Sequence, residues 1–307
     1  MDRQTASAVD QLFANSDPDK TWRKAADLIQ LTLPAYNPAV IRAVFDDVMR
    51  LFDGAYPGYY RIKTPYHDRS HTLDVFLCAV RLMHGMQLSG AKLTEREVTL
   101  VIIAALLHDV GYAQLRDGKE TGTGAQYTPT HVKRGINFMR HYIQERGLPA
   151  DYADDLAPMI SCSDPRLPLS RISFPNQRIR LAGQIVGTAD LVGQMADRNY
   201  LEKLISLYQE FEEARVGNYR SVHDMMRKTK GFYAAIQKKL DEGFGGLYHQ
   251  LSAHFKHSMG SERNYYMEAI QKNMDYLAAL TKLSESEYLT RLRRGGIASK
   301  FKTPHSK

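Results

Sequence analysis

The feature that most constrains this chain is an apolar segment, 94–112, that ends in a His-Asp pair. It reads TEREVTLVIIAALLHDVGY, and only Thr99 interrupts its central apolar run. Thr94, followed three residues later by Glu97, predicts a capping-box start, and the run predicts a helix buried on most sides. An ionised carboxylate at the end of such a helix costs several kcal/mol unless it is paired or bound to a metal.

The pair itself is His108-Asp109. A histidine near a helix C-terminus is stabilised by the negative end of the helix dipole, whereas an aspartate there carries the wrong charge. The dipole therefore explains His108 but not Asp109. A bound metal ion explains both residues.

A second polar cluster opens another apolar helix, in the stretch YHDRSHTLDV at 66–75. His67 and His71 are four residues apart, so one helical turn can bring both to the same place. On the helix that follows, His71, Asp74 and Cys78 share a stripe beside the apolar face. The stretch therefore predicts a polar site at the start of a buried helix.

A third segment, 178–197, reads RIRLAGQIVGTADLVGQMAD and carries three internal glycines. Each costs up to about 1 kcal/mol relative to alanine in a helix. Gly183, Gly187, Asp190 and Gln194 fall on one face at four- and three-residue steps. Small residues there predict close approach to another element. Asp190 is then either a carboxylate presented to a metal, which we favour, or an isolated acid in a tightly packed interface.

The remaining histidines are weaker candidates for a metal site. His84 and His141 are each typical of an ordinary core or surface residue. His249, His254 and His257 lie close together in the sequence. Because no acid or cysteine partner accompanies them, a solvated helix face is the expected interpretation.

Helical periodicity predominates along the chain, and no alternating strand pattern stands out, which predicts an all-α fold. No linker divides the sequence, so we expect one helical domain over 1–290. The residues 291–307 predict a disordered tail: three arginines and three lysines there, without an acid, supply +6 of the net charge of +7. Nucleic-acid binding is therefore not expected, apart from a contact through this tail.

The sequence also predicts where the protein is located and the redox state of its cysteines. It has no apolar run long enough to span a bilayer and does not open with the layout of a secretory signal, which predicts a cytoplasmic protein without membrane association. Cys78 and Cys162 lie in apolar, helix-like surroundings, which predicts two buried thiols rather than a disulfide.

Taken together, the ordered residues resemble the H…HD…D signature of the HD-domain metal-dependent phosphohydrolases. The stretch 66–75 further resembles the YHNxxHAxDV motif of class I cyclic nucleotide phosphodiesterases, with Asp68 in place of Asn and Thr72 in place of Ala. The resemblance spans about 66–197. It implies an HD-domain helical bundle with a core of about 55–240 and additional N- and C-terminal helices.

The resemblance also implies roles for individual residues. Four side chains would bind the first divalent metal ion: His71, His108, Asp109 and Asp190. His67 would be the general acid, and Asp74 would orient a histidine through its ring N–H. Nitrogen and oxygen donors of this kind suit Zn, Mn, Mg or Fe without choosing among them.

The sequence departs from the families that it resembles at the second metal site. The phosphodiesterases have a histidine where this chain has Tyr112, and the His-His pair of related HD-GYP proteins is absent from 159–164. Either a second ion is held loosely by Asp109, water and His131, or there is no second site. Arg134, one turn after His131, either contacts a phosphate or is an ordinary exposed helix arginine.

The implied activity is hydrolysis of a phosphate ester, preferentially a cyclic nucleotide phosphodiester, by a metal-activated water with His67 as the acid. Three alternatives stay open: a nucleotide phosphomonoesterase, an HD-type di-iron oxygenase, and a non-catalytic metal-binding signalling module. His67 argues against the last, because a pure binder has no need of a general acid. The expected partner is a small phosphate ester, and the oligomeric state is left open.

Overall fold

The computed structural model describes residues 11–13, 15–117 and 120–300. Their regular secondary structure is helical. The α-helices, in chain order, are α1 (Pro18–Thr32), α2 (Ala39–Asp53), α3 (Arg69–Leu88), α4 (Glu95–Leu107), α5 (His131–Glu145), α6 (Tyr152–Ser161), α7 (Gln177–Ala196), α8 (Tyr200–Ala214), α9 (Val222–Lys238), α10 (Leu251–Met259), α11 (Tyr265–Leu280), α12 (Glu285–Arg291) and α13 (Ile297–Lys300). Across the described residues, the only extended pairing is an isolated bridge between Tyr59 and Leu115. The all-α prediction is confirmed.

Helix α3 lies at the centre of the fold. It packs most extensively against α7 and also against α1, α4 and α10. Every residue from His71 to Met86 is buried, as expected for a helix surrounded by others. Helix α4 is equally buried from Glu97 onward, and its Thr94–Glu97 capping box forms as the sequence predicts.

The glycines of α7 explain how it comes so close to its neighbours. A Cβ at Gly187 would lie 2.8 Å from the carbonyl oxygen of Cys162, and one at Gly183 would lie 3.3 Å from the Cα of Met159. The face that carries these glycines therefore packs on the end of α6. The predicted close approach is confirmed, and it sets the position of Asp190 on the same helix.

The buried apolar residues form one hydrophobic core that runs from Phe13 to Leu292. The predicted disordered tail overlaps this core. Leu292 is buried, and the backbone N–H of Arg294 donates to a carboxylate oxygen of Glu202 on α8. The prediction is therefore wrong for 291–300, because a buried leucine anchors this basic segment; residues 301–307 lie outside the described residues.

Two further expectations concern the chain as a whole. Within the described part of the chain, no helix combines the length and apolar character needed to cross a bilayer. Cys78 and Cys162 are buried free thiols, as predicted. The division into an HD core of about 55–240 with flanking helices stays a prediction.

Candidate metal centre

The polar stretch before α3 is organised by a helix cap. Asp68 is the N-cap residue, and its side chain accepts a hydrogen bond from the backbone N–H of His71 at 2.9 Å. This cap places His71 in the first turn, where its side chain is buried. Asp68, one of the two departures from the phosphodiesterase motif, thus has a local structural role.

His108 is oriented by the end of α4. Its Nδ1 lies 2.8 Å from the carbonyl oxygen of Ala105. A carbonyl can only accept, so Nδ1 carries the proton and Nε2 is left with a free lone pair. That nitrogen is the one directed at His71 and Asp109, as a metal ligand requires.

The four predicted ligands converge at one buried point. His71 Nε2 lies 3.2 Å from His108 Nε2, 3.2 Å from Asp109 Oδ2 and 3.3 Å from Asp190 Oδ1. His108 Nε2 lies 3.0 Å from Asp109 Oδ2. Two atoms that bind the same ion at about 2.1 Å are themselves roughly 3.0–3.4 Å apart. Four of the five separations therefore match a single ligand shell, and the fifth, between His108 Nε2 and Asp190 Oδ1, is longer at 3.8 Å.

One atom of this cluster has no hydrogen-bond partner. Asp109 Oδ2 is buried, and no donor reaches it with hydrogen-bond geometry. Ligand atoms of His71, His108 and Asp190 also lie within 4.8 Å of one another, as in a site that can hold a metal ion. The residues fit a divalent cation, which would satisfy the Asp109 oxygen.

The charges of the cluster favour a cation at its centre. Burial lowers the pKa of His71, but the Asp109 and Asp190 carboxylates outweigh it and raise that pKa to about 10. Burial would also raise the pKa of Asp109, yet the neighbouring imidazoles hold it well below its usual range. The two acids thus attract positive charge, which either a proton or a metal ion supplies.

His67 stands beside the cluster and is held by a residue that the sequence did not reveal. Its Nδ1 lies 2.5 Å from Glu210 Oε2, while Glu210 Oε1 accepts from the backbone N–H groups of Tyr66 and His67 at 2.6 and 3.0 Å. Glu210, on α8, is fully buried. In the sequence it sits beside Glu212 and Glu213, in a run typical of a solvated helix face, so no signal singles it out.

The pairing with Glu210 affects the charge of His67. Burial lowers the pKa of His67, but the carboxylates of Glu210 and Asp109 more than compensate, so the pKa lies above its ordinary value. With Nδ1 donating to Glu210, Nε2 is the atom that can carry a second proton. The structure therefore pairs His67 with Glu210, and its role as general acid stays a prediction.

Tyr112 packs against two of the histidines. Its ring stacks on His67, at 4.7 Å between centroids, and on His131, at 4.6 Å, and the two histidine rings are 6.0 Å apart. His131 donates through Nδ1 to the carbonyl oxygen of Thr128, and its Nε2 lies 3.7 Å from Asp109 Oδ1. The structure thus places His131 next to Asp109, and its binding of a second ion or a phosphate stays a prediction.

The hydrogen bonds of Arg134 and Asp74 are made to residues outside the His/Asp cluster. Arg134 donates to the carbonyl oxygens of Gly111 and Ala113, both at 2.8 Å, and so braces the segment after His108-Asp109. Asp74 is buried on α3, and its Oδ1 accepts from Asn15 at 2.8 Å instead of from a histidine. The phosphate contact of Arg134 and the histidine-orienting role of Asp74 stay predictions.

The cluster opens into a cavity of about 340 Å³. His67, His71, Asp109, His131 and Asp190 are among its lining residues. Most of its apolar lining comes from α8, α9 and the segment between them: Leu204, Leu207, Phe211, Val216, Tyr219, Met225 and Phe232. Among the described residues that line the cavity, Arg166 is the one lysine or arginine.

Fold and site together define an all-helical protein with a buried His/Asp cluster that can hold a metal ion. A model of the Npun_R2479-like family matches residues 114–250, which is less than half of the chain. The range contains His131, Asp190 and Glu210 but begins after His67, His71 and Asp109. The family's description states no activity, and neither a curated protein nor a solved structure matches the chain.

Proposed function

We propose that the protein is a metal-dependent phosphohydrolase whose preferred substrate is a cyclic nucleotide phosphodiester. The observation that carries this proposal is the combination, on one cavity, of a buried His/Asp cluster and a histidine held apart from it by Glu210. A metal-binding module needs the cluster alone. Hydrolysis of an alkyl phosphate ester also needs a proton for the leaving oxygen, and His67 would supply it.

In this proposal, different residues of the chain bind the ion, donate the proton and orient the proton donor. His71, His108, Asp109 and Asp190 would hold the ion. A divalent ion bound there would supply Lewis-acid chemistry, activating water and stabilising charge on the phosphoryl oxygens. His67 would donate its Nε2 proton to the departing sugar oxygen, while Glu210 holds the ring by Nδ1 and stabilises the imidazolium form. Water would then restore that proton.

The residues that line the cavity support a substrate with one phosphoryl group and a large, flat or apolar remainder. Only Arg166 offers a fixed positive charge among the described lining residues, and its Nε already lies 3.3 Å from an oxygen of Asp164. Polyphosphates and cyclic dinucleotides bring more negative charge than this wall compensates. The rings of Phe211, Tyr219 and Phe232 provide surfaces on which a base can stack.

The test is a comparison of leaving groups in two variants. We would measure hydrolysis of cAMP, cGMP, cyclic dinucleotides, 5′-mononucleotides and a bis-nitrophenyl phosphodiester with Mn²⁺, Mg²⁺ or Zn²⁺. His67→Gln should reduce cleavage of the cyclic nucleotide by about 10²–10⁴-fold, but should affect the nitrophenyl ester far less, because nitrophenolate leaves without a proton. Asp109→Asn should abolish both activities.

Other outcomes would assign a different activity to the protein. Hydrolysis of 5′-mononucleotides alone would identify a phosphomonoesterase. Equal losses on both esters in His67→Gln would show that His67 is not the general acid. If wild-type protein binds metal but cleaves none of the esters, the hydrolase proposal is wrong, and oxygen consumption with bound iron becomes the next measurement.

A further inference from the structure

A second group of histidines meets far from the cavity, where α3 crosses α10. His84 comes from α3, and His254 and His257 come from α10, three residues apart. His84 and His254 are 2% and 3% exposed, which contradicts the expectation of a solvated face for His254. Their Nδ1 atoms lie 3.2 Å apart, and the His257 ring lies 5.1 Å from that of His84.

The two helices are held together at this point by a glycine contact. A Cβ at Gly85 would lie 2.0 Å from the carbonyl oxygen of Gln250, immediately before α10. Only a residue without a side chain permits so short an approach. The positions of His84 and His254 are therefore fixed by backbone packing.

The pair has the geometry of two ligands of one ion. Nitrogens bound to a tetrahedral metal at about 2.0–2.1 Å are roughly 3.3 Å apart, close to the separation observed here.

The third ligand requires a side-chain rotation. The three rings do not bring one nitrogen each within 4.8 Å of one another. His257 is exposed, however, and so is not held in its rotamer by a packed interior. It stands on the same helix as His254, one turn on, where i,i+3 side chains share a face.

We propose that His84, His254 and His257 form a second metal site, selective for a zinc-type divalent cation, that joins α3 to α10. Nitrogen-only ligands favour Zn²⁺, Ni²⁺ or Cu²⁺ over Mg²⁺ and Mn²⁺. The first site differs because it contains two carboxylates. His84 follows His71 by thirteen positions on α3, roughly 20 Å along the helix, so the two sites bind independently.

The experiment counts metal ions on tag-free, full-length protein stripped with a chelator and dialysed against Zn²⁺. The background variant is His71→Gln/Asp190→Asn, which removes two of the three residues whose ligand atoms meet at the first site, so the second is measured alone. We expect about one Zn²⁺ per chain in this background, and its loss when His257→Gln is added. His249→Gln, which changes an exposed histidine just before α10, should retain the ion. Mg²⁺ and Mn²⁺ should not bind this background.

Two further readouts keep the outcome clear. His257 is exposed, so its replacement should not disturb folding, and the circular dichroism spectrum checks this. In wild-type protein, Zn²⁺ should raise the unfolding temperature more than it does in His257→Gln, because the ion binds only the folded state. Equal Zn²⁺ content with and without His257 and His254 would overturn the proposal and leave a hydrogen-bonded imidazole pair. The result does not depend on any hydrolytic activity.

Discussion

At the scale of single residues, the site depends on two buried carboxylates with different neighbours. Asp109 lies among imidazoles and has an oxygen without a hydrogen-bond partner, so its charge is available to an ion. Glu210 uses both of its oxygens, two backbone N–H groups on one and the His67 ring on the other. Asp109 can therefore bind a metal ion, whereas Glu210 affects the site through its contact with His67.

We expect Asp109→Asn to weaken metal binding at the first site by more than about 100-fold, because removing even an outer partner of a ligand typically costs 10–100-fold. The amide keeps the size of the side chain but loses its charge. Metal content after dialysis against Mn²⁺ measures the effect. Asp151→Asn, an acid on the surface that pairs with Arg96, serves as the control and should retain wild-type metal content.

Glu210→Gln should move the alkaline limb of the pH–kcat/KM profile to lower pH. The Glu210 charge raises the pKa of His67, and His67 acts in its protonated form. Without that charge the pKa falls, so the acid is lost at a lower pH. Glu213→Gln is the matched control, since Glu213 on the same helix binds Thr123 and no histidine. An unchanged limb in Glu210→Gln would show that another group limits the alkaline side.

At the scale of secondary-structure elements, glycines decide how closely the helices approach. Gly85 on α3 and Gly111 after α4 each face a backbone carbonyl oxygen that a Cβ would meet at about 2 Å: 2.0 Å from Gln250 and 1.9 Å from His131. Gly111 thereby sets the start of α5 beside His108-Asp109. These contacts link the glycines to the position of the site.

Two glycine-to-alanine changes should have opposite effects on stability. Gly85→Ala forces a Cβ against the backbone of Gln250 and should lower the free energy of unfolding by about 1–3 kcal/mol or more. Gly231, inside α9, faces open space within 4 Å, so Gly231→Ala should raise it by up to about 1 kcal/mol. Urea denaturation measures both. A loss of stability in Gly231→Ala would mean that this position is more crowded than the structure shows.

At the scale of the whole molecule, one core connects the two ends of the described chain. Trp22, the only tryptophan, packs in α1 against Phe45 and Phe76. Near the other end, Tyr288 on α12 is 1% exposed and stacks on His223 of α9. A continuous core should unfold cooperatively.

We therefore expect Trp22 fluorescence and circular dichroism to report the same denaturation midpoint. Tyr288→Ala should lower that midpoint for both probes, since removing a buried aromatic ring costs about 3–5 kcal/mol. Leu31→Ala, at a position 58% exposed, should change it little. A midpoint of Trp22 fluorescence that stays fixed in Tyr288→Ala would indicate two separately folding parts.

Much of the local structure was predictable because it depends on neighbours in sequence. The periodicity of the apolar residues located nine of the helices, and Thr94 with Glu97 located the start of α4. The pattern missed α6, α10 and the two short helices α12 and α13. Helix α6 carries Pro158 in its interior, and α10 has only nine residues, too few to show a clear period.

The residue types of the first site were also recognisable, because a buried helix that ends in an aspartate demands a counter-charge. What the sequence by itself determined was therefore the helices, the buried His-Asp end of α4 and the residues expected to join it. Tertiary structure alone decided that Glu210 holds His67 and that His84 meets His254. Those pairs join residues 143 and 170 positions apart, and no local pattern records which distant side chains helix packing brings together.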